Sequence, residues 1–402
     1  MKNRTLLYYC RAGEGREPIR RTLAIARQLS DCFDVTLLVN EPPPDNGAMA
    51  KGQIVLLPPM DFDPDRQFVR LDRSARLQEQ IVARRDLILA TYLKVKPSVV
   101  VVENFPFSQR LLAGEILPLI ERAKYGVQGE AVVVCSTDGI LETDRPNRQD
   151  YDDESASLLN KYFDLIVVHT DSTFARLEEF FGPAETLATP LFHTGFVSPE
   201  SGVLASSNDT DDDVVLVSAG DGFCGGGLFR AAIEAQRTIW HTLKLPMTIV
   251  AGERLPETEW RQIKTLANDV PDLTLRRSVK NMRETIRSAR WSVNQCGYNV
   301  ALDIIETGTP ALFVPCPDGH RLEQITRAQR LVYWGAGRLL MPHHLNGASL
   351  ANDIHQLTKF KSREISFDSG GAAKTADLIS EMVFGEKFAS ISADHPTLNS
   401  HN

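Results

Sequence analysis

The sequence predicts an α/β protein with two doubly wound, Rossmann-like domains. The chain has 402 residues, 43% of them hydrophobic, which is enough for two domains that each bury a core. Short apolar runs alternate with segments of helical periodicity, a pattern typical of parallel strands covered by helices. In each half, the first apolar run leads into a glycine-containing turn and then a helix, as doubly wound sheets connect their first strand to a helix.

The predicted domain boundary lies near residue 200. Residues 1–200 form the N-terminal domain and residues 201–389 the C-terminal domain. Between Leu191 and Asp213 the composition changes from apolar to Ser, Gly, Asn and Asp, which is typical of a connection between domains. The run of acids at its end is better explained by a solvated linker than by a metal site. No periodic pattern continues beyond Ser390, so residues 390–402 are predicted to be disordered.

Strands and helices alternate along the N-terminal half. Apolar runs predict strands at residues 5–9, 34–40, 54–57, 99–102, 131–135 and 165–168, and helical periodicity predicts helices at 19–29 and 71–93. The run at 99–102 is entirely valine, as expected for a strand that has helices on both faces. Glu103, Asp138 and His169 follow three of these strand ends. Because parallel strands end at one edge of the sheet, these polar residues are candidates for a common site.

The C-terminal half repeats the pattern around a second glycine-rich turn. Its predicted strands lie at residues 214–217, 247–250, 273–275, 291–294 and 311–314, and its predicted helices include 228–243, 350–357 and 373–382. Five glycines lie within residues 220–227. Without Cβ atoms, residues such as Gly220 and Gly222 let backbone N–H groups approach a pyrophosphate. The turn Cys296-Gly297 opens another helix and is predicted to face the same crevice as the polar loop from Cys316 to Glu323.

Charge and cysteine usage argue against several classes of protein. A net charge of −8 is unfavourable for nucleic-acid binding, although a local basic cluster formed by Arg16, Arg20 and Arg21 could still face a phosphate. The six cysteines form no Cys-x-x-Cys pair and lie mostly in apolar runs, which predicts reduced residues and no metal site. The N-terminus lacks the apolar core of a signal peptide, and no apolar run approaches the ~18 residues of a membrane span. We therefore expect a cytoplasmic protein with no transmembrane segment, no metal and no cofactor.

The segment from Trp291 to Arg327 resembles the C-terminal half of nucleotide-sugar glycosyltransferases of the GT-B fold. The resemblance is to the lipid II-forming N-acetylglucosaminyltransferase group and its predicted glycosyltransferase relatives. It implies that Asp303 holds the ribose hydroxyls of UDP, and that Glu323 and Gln324 hold the donor sugar. These residue types suit the roles, because a carboxylate accepts two hydrogen bonds from a diol, and an amide both donates and accepts.

The same resemblance implies the rest of a donor site. It places the glycine-rich loop beneath the donor diphosphate, and it places the loop with Ser278 and Val279 against the uracil ring through backbone groups. His320 and Arg321 lie in the predicted sugar loop, and the charge of Arg321 would stabilise the leaving diphosphate. GT-B enzymes as a class do not use the metal-binding acid pair of the other large glycosyltransferase fold. Their last helix often crosses back to the N-terminal domain.

The catalytic base is the point at which the sequence departs from the relatives. Their loop after the first strand commonly ends in Gly-His, and this histidine is the usual candidate base, but Pro18 occupies its position here. The remaining candidates are Glu17, Glu14, Asp138 and His169. We rank Glu17 first because it adjoins the lost histidine position, and a desolvated carboxylate there can accept a proton. The position of His169 directly after a strand favours a structural hydrogen-bonding role.

These features predict an enzyme that transfers a hexose or N-acetylhexosamine from a UDP-sugar to a hydroxyl or amine. The acceptor is either a small molecule or lipid-linked, and the sequence leaves both open. One alternative keeps the fold and uses water as the acceptor, which gives a nucleotide-sugar hydrolase. Another, motivated by the missing histidine, is a non-catalytic nucleotide-sugar-binding protein or an inactive partner subunit.

Overall fold

The structure contains two parallel β-sheets, each with helices on both faces. It is a computed structural model that describes residues 4–10, 17–43, 49, 52–58, 76–126, 130–142, 147–198, 212–316 and 322–385. Separate clusters of buried hydrophobic side chains cover the two faces of each sheet. The α/β class with two Rossmann-like sheets, predicted from the sequence, is confirmed.

The first sheet is formed by the N-terminal half of the chain. Its strands are β1 (Thr5–Cys10), β2 (Asp34–Val39), β3 (Gly52–Leu56), β4 (Val99–Glu103), β5 (Val132–Thr137), β6 (Leu165–Val168) and β7 (Leu191–His193). They lie in the order β3-β2-β1-β4-β5-β6-β7. The strand order reverses between β1 and β4, and doubly wound sheets bind ligands in the crevice outside the carboxyl ends of such strands.

Within the described residues, four helices of the N-terminal half cover this sheet. They are α1 (Glu17–Leu29), α2 (Arg76–Val95), α3 (Ala113–Tyr125) and α4 (Arg148–Tyr162). The apolar side of α1, with Ile19 and Leu23, packs on one face of the sheet. Ile88 of α2 and Ile116 of α3 pack on the other face. Because β1 and β4 are covered from both sides, their side chains are almost all buried, as the valine run predicted.

The second sheet repeats the topology with the C-terminal half. Its strands are β8 (Asp212–Ser218), β9 (Met247–Val250), β10 (Leu273–Arg276), β11 (Ala289–Asn294), β12 (Ala311–Phe313) and β13 (Gly337–Leu339), in the order β10-β9-β8-β11-β12-β13. Its helices are α5 (Gly226–Leu243), α6 (Glu257–Ala267), α7 (Met282–Ser288), α8 (Tyr298–Thr307), α9 (Leu322–Trp334), α10 (Gly347–Leu357) and α11 (Gly371–Phe384). The order reverses between β8 and β11, so the glycine-rich loop after β8 and the turn Cys296-Gly297 after β11 flank this reversal point.

The last helix, α11, packs against the N-terminal half of the chain. Its Ala376, Ile379 and Val383 join the apolar cluster that contains α1. The ring of Phe384 stacks on Phe33 with 5.3 Å between centroids. Two backbone hydrogen bonds, from Phe196 N to Asp368 O and from Gly371 N to Phe196 O, bring the chain to this position.

The sequence missed several helices, although the predicted strands are present. Helix α4 carries charged and polar residues around most of its circumference, and its buried side includes Asp152 and Ser155, so it lacks the continuous apolar stripe on which the prediction relied. The segment predicted as a polar loop from Cys316 contains the start of α9 at Leu322. The predicted domain boundary and the predicted tail both stay predictions. Residues 199–211 and 390–402 lie outside the described residues.

A buried ion pair fixes α2 and α3 against the first sheet. Arg84 and Glu115 have no exposed side-chain surface, and their closest nitrogen–oxygen distance is 2.7 Å. Tyr9 of β1 donates its hydroxyl to the same carboxylate at 2.5 Å, and Arg84 also donates to the carbonyl of Pro58 at 2.8 Å. A buried charge is tolerated only when it is paired and hydrogen-bonded in this way.

Substitution Arg84→Met should therefore lower the free energy of unfolding by about 3–5 kcal/mol, because it leaves the Glu115 carboxylate buried without its counter-ion. Urea-induced unfolding followed by circular dichroism measures this change. Arg261→Met is the matched control, since Arg261 pairs with Glu257 on an exposed surface, and such pairs contribute about 0.3–0.5 kcal/mol. Equal losses in the two variants would contradict the importance of the buried pair.

Candidate functional site

The carboxyl-terminal edges of the two sheets face each other. Tyr298 begins α8, directly after the Cys296-Gly297 turn of the second sheet. Its hydroxyl donates to the carbonyl of His169 at 2.9 Å and accepts the N–H of Val197 at 2.9 Å. Since His169 follows β6 of the first sheet, one tyrosine connects the two edges. The loops that follow the strands on both sides consequently border one crevice.

A buried carboxylate organises the N-terminal side of the crevice. Glu103 ends β4 and has no exposed surface. It accepts hydrogen bonds from Arg21 of α1, from the Tyr8 hydroxyl at 3.0 Å and from Ser136 at 2.5 Å. The neighbouring strands β1, β4 and β5 bring Tyr8, Glu103 and Ser136 side by side. Burial and the nearby Glu103 carboxylate raise the pKa of Tyr8 well above its usual range, so its hydroxyl remains a hydrogen-bond donor.

His169 belongs to the same polar cluster. Its Nε2 lies 2.9 Å from the Ser136 hydroxyl, and its Nδ1 lies 3.0 Å from the Thr194 hydroxyl. Complete burial and the positive charge of Arg21 hold the pKa of the imidazole well below its ordinary value. The ring is therefore neutral at pH 7, and both of its nitrogens have partners. This geometry favours the structural role of His169 over the catalytic one.

Asp138 connects the two sides of the crevice. Its carboxylate lies 3.9 Å from a guanidinium nitrogen of Arg21 and 3.7 Å from one of Arg327 on α9. The side chain of Asp138 is 23% exposed, whereas both arginines are almost completely buried. Arg327 in turn donates to the carbonyl of Cys296 at 2.9 Å. Asp138 thus links α1 of the first sheet to the turn after β11 of the second.

The glycine-rich loop after β8 presents its backbone to the crevice. Gly220 has a positive φ of 63°, and a Cβ atom added there would contact nothing within 4 Å. Gly222 has φ 92°, and a Cβ atom added there would lie 2.0 Å from the carbonyl oxygen of Ala251. A side chain is therefore excluded at Gly222 by packing, while the space above Gly220 is open to a ligand. The free N–H groups at the start of α5, which follows at once, favour an anion there.

Two buried amide side chains hold the loops on the C-terminal side together. Gln295, after β11, donates its Nε2 to the carbonyl of Cys224 in the glycine-rich loop at 2.9 Å. Gln324, in the first turn of α9, accepts the N–H of Cys316 at 3.0 Å. The loops after β8, β11 and β12 thus form one continuous surface. Glu142 of the N-terminal half reaches this surface by accepting the N–H of Leu322 at 3.3 Å.

The predicted donor-binding residues fall on these loops and on the adjoining helices. Cys296, Gly297 and Asp303 are buried at the turn after β11 and within α8. The loop after β10 exposes Ser278 and half-buries Val279. Glu323 and Gln324 lie in the first turn of α9, not in a loop.

Other predicted residues are described in part or not at all. Glu17 is the first residue of α1, but its side chain lies outside the described part of the chain. Glu14, His320 and Arg321 also lie outside the described residues. Each of these assignments stays a prediction.

Several residues at the crevice were missed or misjudged by sequence reasoning. The sequence suggested that Arg21 could face a phosphate, whereas it is buried against Glu103. The roles of Tyr298, Arg327 and Gln295 were not predicted. Gln295 and Tyr298 adjoin the recognised Cys296-Gly297 turn, and Arg327 lies one helical turn beyond Glu323, so proximity to the motif was the available signal. Their partners lie far away in the sequence, so no local pattern indicates them.

Among the described residues, no group of three or more His, Cys, Asp or Glu side chains is arranged to hold a metal ion. No described helix combines the length and apolar character needed to cross a membrane.

A family model and two curated relatives match parts of the sequence. Residues 228–382 match the Glycosyltransferase family 28 C-terminal domain. An uncharacterized glycosyltransferase of Methanopyrus kandleri is 25% identical over 170 residues, which are 42% of this chain and 45% of that protein. The UDP-N-acetylglucosamine–N-acetylmuramyl-(pentapeptide) pyrophosphoryl-undecaprenol N-acetylglucosamine transferase of Lactococcus lactis subsp. cremoris is 24% identical over 110 residues, 27% of this chain and 31% of that protein. The matched segments thus span less than half of the length of either relative.

Solved structures are similar over nearly the whole chain. The calicheamicin glycosyltransferase CalG4 has a TM-score of 0.59 at 17% identity, covering 96% of this chain and 95% of that one. A putative UDP-N-acetylglucosamine 2-epimerase from Listeria monocytogenes has a TM-score of 0.62 at 13% identity, covering 96% and 98%. The chain has the GT-B fold, and its predicted resemblance to the lipid II-forming group of GT-B glycosyltransferases is confirmed.

The neutral His169 gives the protein a specific sensitivity to acid. Because its folded pKa lies below the unfolded value of about 6.5, the unfolded chain binds the extra proton first, and stability is lost as pH falls below that value. At pH 5.5 the free energy of unfolding is expected to be about 1.4 kcal/mol lower than at pH 7.5 because of this one residue. In His169→Asn the difference in unfolding free energy between pH 7.5 and pH 5.5, measured with urea, should shrink by about this amount. An unchanged difference would contradict a neutral buried imidazole.

Proposed function

We propose that this protein is a glycosyltransferase that moves a sugar from a nucleotide-sugar donor, with UDP as the nucleotide, to a hydroxyl or amine of an acceptor. The observation that supports the proposal is the position of the glycine-rich loop and the Cys296-Gly297 turn, which flank the strand-order reversal of the second sheet. Doubly wound sheets bind nucleotides at this position. The match of residues 228–382 to the family 28 C-terminal domain supports the same assignment.

In this proposal, the glycine-rich loop binds the donor diphosphate. The backbone at Gly220 faces open space, and the N-terminal end of α5 supplies N–H groups and a partial positive charge. The turn at Cys296 and Gly297 lies beside this loop, where the second helix N-terminus, that of α8, begins. As the bond to the sugar breaks, negative charge develops on the diphosphate, and preorganised N–H groups stabilise it.

The remaining donor contacts follow the resemblance stated above. Asp303 would accept hydrogen bonds from the ribose diol, and the loop with Ser278 and Val279 would contact the base. Glu323 and Gln324 would bind the sugar from the first turn of α9. Gln324 already uses its carbonyl oxygen to hold Cys316 N–H, so its amide N–H groups are the part that suits the sugar hydroxyls.

For the acceptor proton we propose Glu17 as the base. It lies one helical turn before Arg21 in α1, and Arg21 is anchored on Glu103 at the strand-order reversal of the first sheet. The start of α1 is thereby fixed at the crevice. Glu14 is the second candidate. Asp138 is engaged between two guanidinium groups and His169 has partners at both ring nitrogens, so these two rank behind the glutamates.

The informative experiment is incubation of the protein with UDP-, GDP- and dTDP-sugars, with and without candidate acceptors, followed by product analysis. Transfer predicts product only in the presence of acceptor. Release of free sugar without acceptor would indicate the hydrolase, and binding without turnover would indicate the non-catalytic protein. Because an epimerase also shares the fold, the sugar must be identified as well as the nucleotide. Absence of both binding and a thermal shift with every donor would contradict the donor site.

Glu323→Ala should weaken UDP-sugar binding by about 1–3 kcal/mol, roughly 5–150-fold, and leave UDP binding nearly unchanged, because only the sugar loses a hydrogen-bond partner. Asp303→Ala should weaken both ligands together, since both contain the ribose. Titration calorimetry measures the dissociation constants of UDP and of UDP-sugar for each variant. Glu257→Ala on the exposed surface of α6 is the control and should change neither. An equal loss of both ligands in Glu323→Ala would remove Glu323 from the sugar pocket.

Glu17→Gln should lower turnover by about 10²-fold or more while donor binding is retained, because the amide keeps the shape of the side chain and loses its basicity. The measurement is kcat at saturating donor together with the dissociation constant for UDP-sugar. His169→Asn serves as the comparison and should retain turnover at neutral pH if His169 is structural. Retained turnover in Glu17→Gln with an inactive His169→Asn would transfer the role of base to His169.

A further inference from the structure

Two thiols meet across the donor side of the crevice. Cys224 lies in the glycine-rich loop after β8, and Cys316 lies in the loop after β12. Their Sγ atoms are 2.6 Å apart although both are free cysteines. Strand β11 lies between β8 and β12 in the sheet, so the two thiols meet over the turn at Cys296 and Gly297.

The backbones that carry these thiols are held in place independently. The Gln295 amide donates to the carbonyl of Cys224, and the Gln324 carbonyl accepts the N–H of Cys316, at 2.9 and 3.0 Å. Both glutamines are buried, with 5% and 2% of their surface exposed. The approach of the two thiols therefore rests on backbone positions that are fixed in both loops.

The exposure of the pair suits a reaction with a small oxidant. Cys224 is partly exposed, whereas Cys316 is 2% exposed. An oxidant can thus reach Cys224 first, and Cys316 is positioned to react with it. By contrast, Cys10 and Cys135 are completely buried, and burial raises the pKa of both thiols well above the usual range. Such thiols are inert.

We propose that Cys224 and Cys316 are a thiol modification site that forms a reversible disulfide and locks the two donor loops together. With glutathione disulfide as the oxidant, the Cys224 thiolate attacks one glutathione sulfur and releases one glutathione thiolate. The Cys316 thiolate then attacks the Cys224 sulfur and releases the second glutathione. The two protein thiols are oxidised, one glutathione disulfide is reduced to two thiols, and these take up the two protons.

The consequence for ligand binding rests on the function proposed above. The disulfide ties the loop beneath the donor diphosphate to the loop that leads into the sugar-binding helix. Loops that are cross-linked over the turn at Cys296 cannot separate to admit or release a nucleotide. We expect UDP association and UDP release both to be at least about tenfold slower in the oxidised protein, and reduction to restore both rates.

The experiment treats the full chain with glutathione disulfide under native conditions, blocks remaining thiols with N-ethylmaleimide, and analyses a non-reduced tryptic digest by mass spectrometry. The expected product joins the peptide of residues 177–230 to that of residues 291–321. The second peptide also contains Cys296, so Cys316→Ser identifies the partner: the link should disappear. Cys32→Ser, in the N-terminal half, is the matched control and should form the link as the wild type does.

A wild-type protein that retains glutathione on Cys224 while Cys316 is alkylated would overturn the proposal, and so would a link that persists in Cys316→Ser. Stopped-flow measurement of UDP association and release before and after oxidation tests the effect on the donor loops. A link that forms without slowing both rates contradicts the lock. If the reduced protein binds no UDP, the proposed function fails, while the peptide link still decides whether the two thiols form the disulfide.

Discussion

The structure of the crevice depends on a carboxylate that has no contact with water. Glu103 ends β4 at the strand-order reversal of the first sheet, and transfer of an ionised carboxylate out of water is very unfavourable unless donors replace the lost hydration. Arg21, Tyr8 and Ser136 supply those donors. The Arg21 charge is therefore not available to a ligand in the way that its place in the sequence suggested. Instead, it fixes α1, and with it the backbone at Glu17, at the edge of the crevice.

The same arginine couples the two halves of the chain. Arg21 lies over the ring of Tyr298, with 5.0 Å from the guanidinium carbon to the ring centroid, and it shares Asp138 with Arg327. Tyr298 and Arg327 belong to the helices that follow β11 and β12. These charged and polar contacts connect the buried carboxylate to the turn at Cys296. Apolar packing of α11 against α1 provides a second connection between the two halves of the chain.

The donor side is held by a different kind of contact. There, the loops depend on side-chain amides that satisfy buried backbone groups, as Gln295 does for Cys224 and Gln324 for Cys316. An unsatisfied backbone group in such a place would cost about 1–3 kcal/mol. Glutamine suits both positions because its amide donates and accepts without a charge that would compete with a diphosphate. These hydrogen bonds position the loops before any ligand binds, and such preorganisation favours tight binding.

The sequence by itself determined the architecture and the location of the candidate site. Apolar periodicity predicted the strands other than the short edge strands β7 and β13. Glycines at the strand-to-helix turns indicated which loops face the crevice, because strand burial and backbone freedom are local properties of the residues. Helices such as α4 and the first turn of α9 were not recognised, since tertiary packing stabilises them in place of an apolar stripe. The tertiary structure alone decided the pairing of Arg21 with Glu103, the burial of His169 between Ser136 and Thr194, and the contact of Cys224 with Cys316. Each of these contacts joins residues far apart in the chain, and the strength of an electrostatic or sulfur contact depends on distance and burial, which no local pattern records.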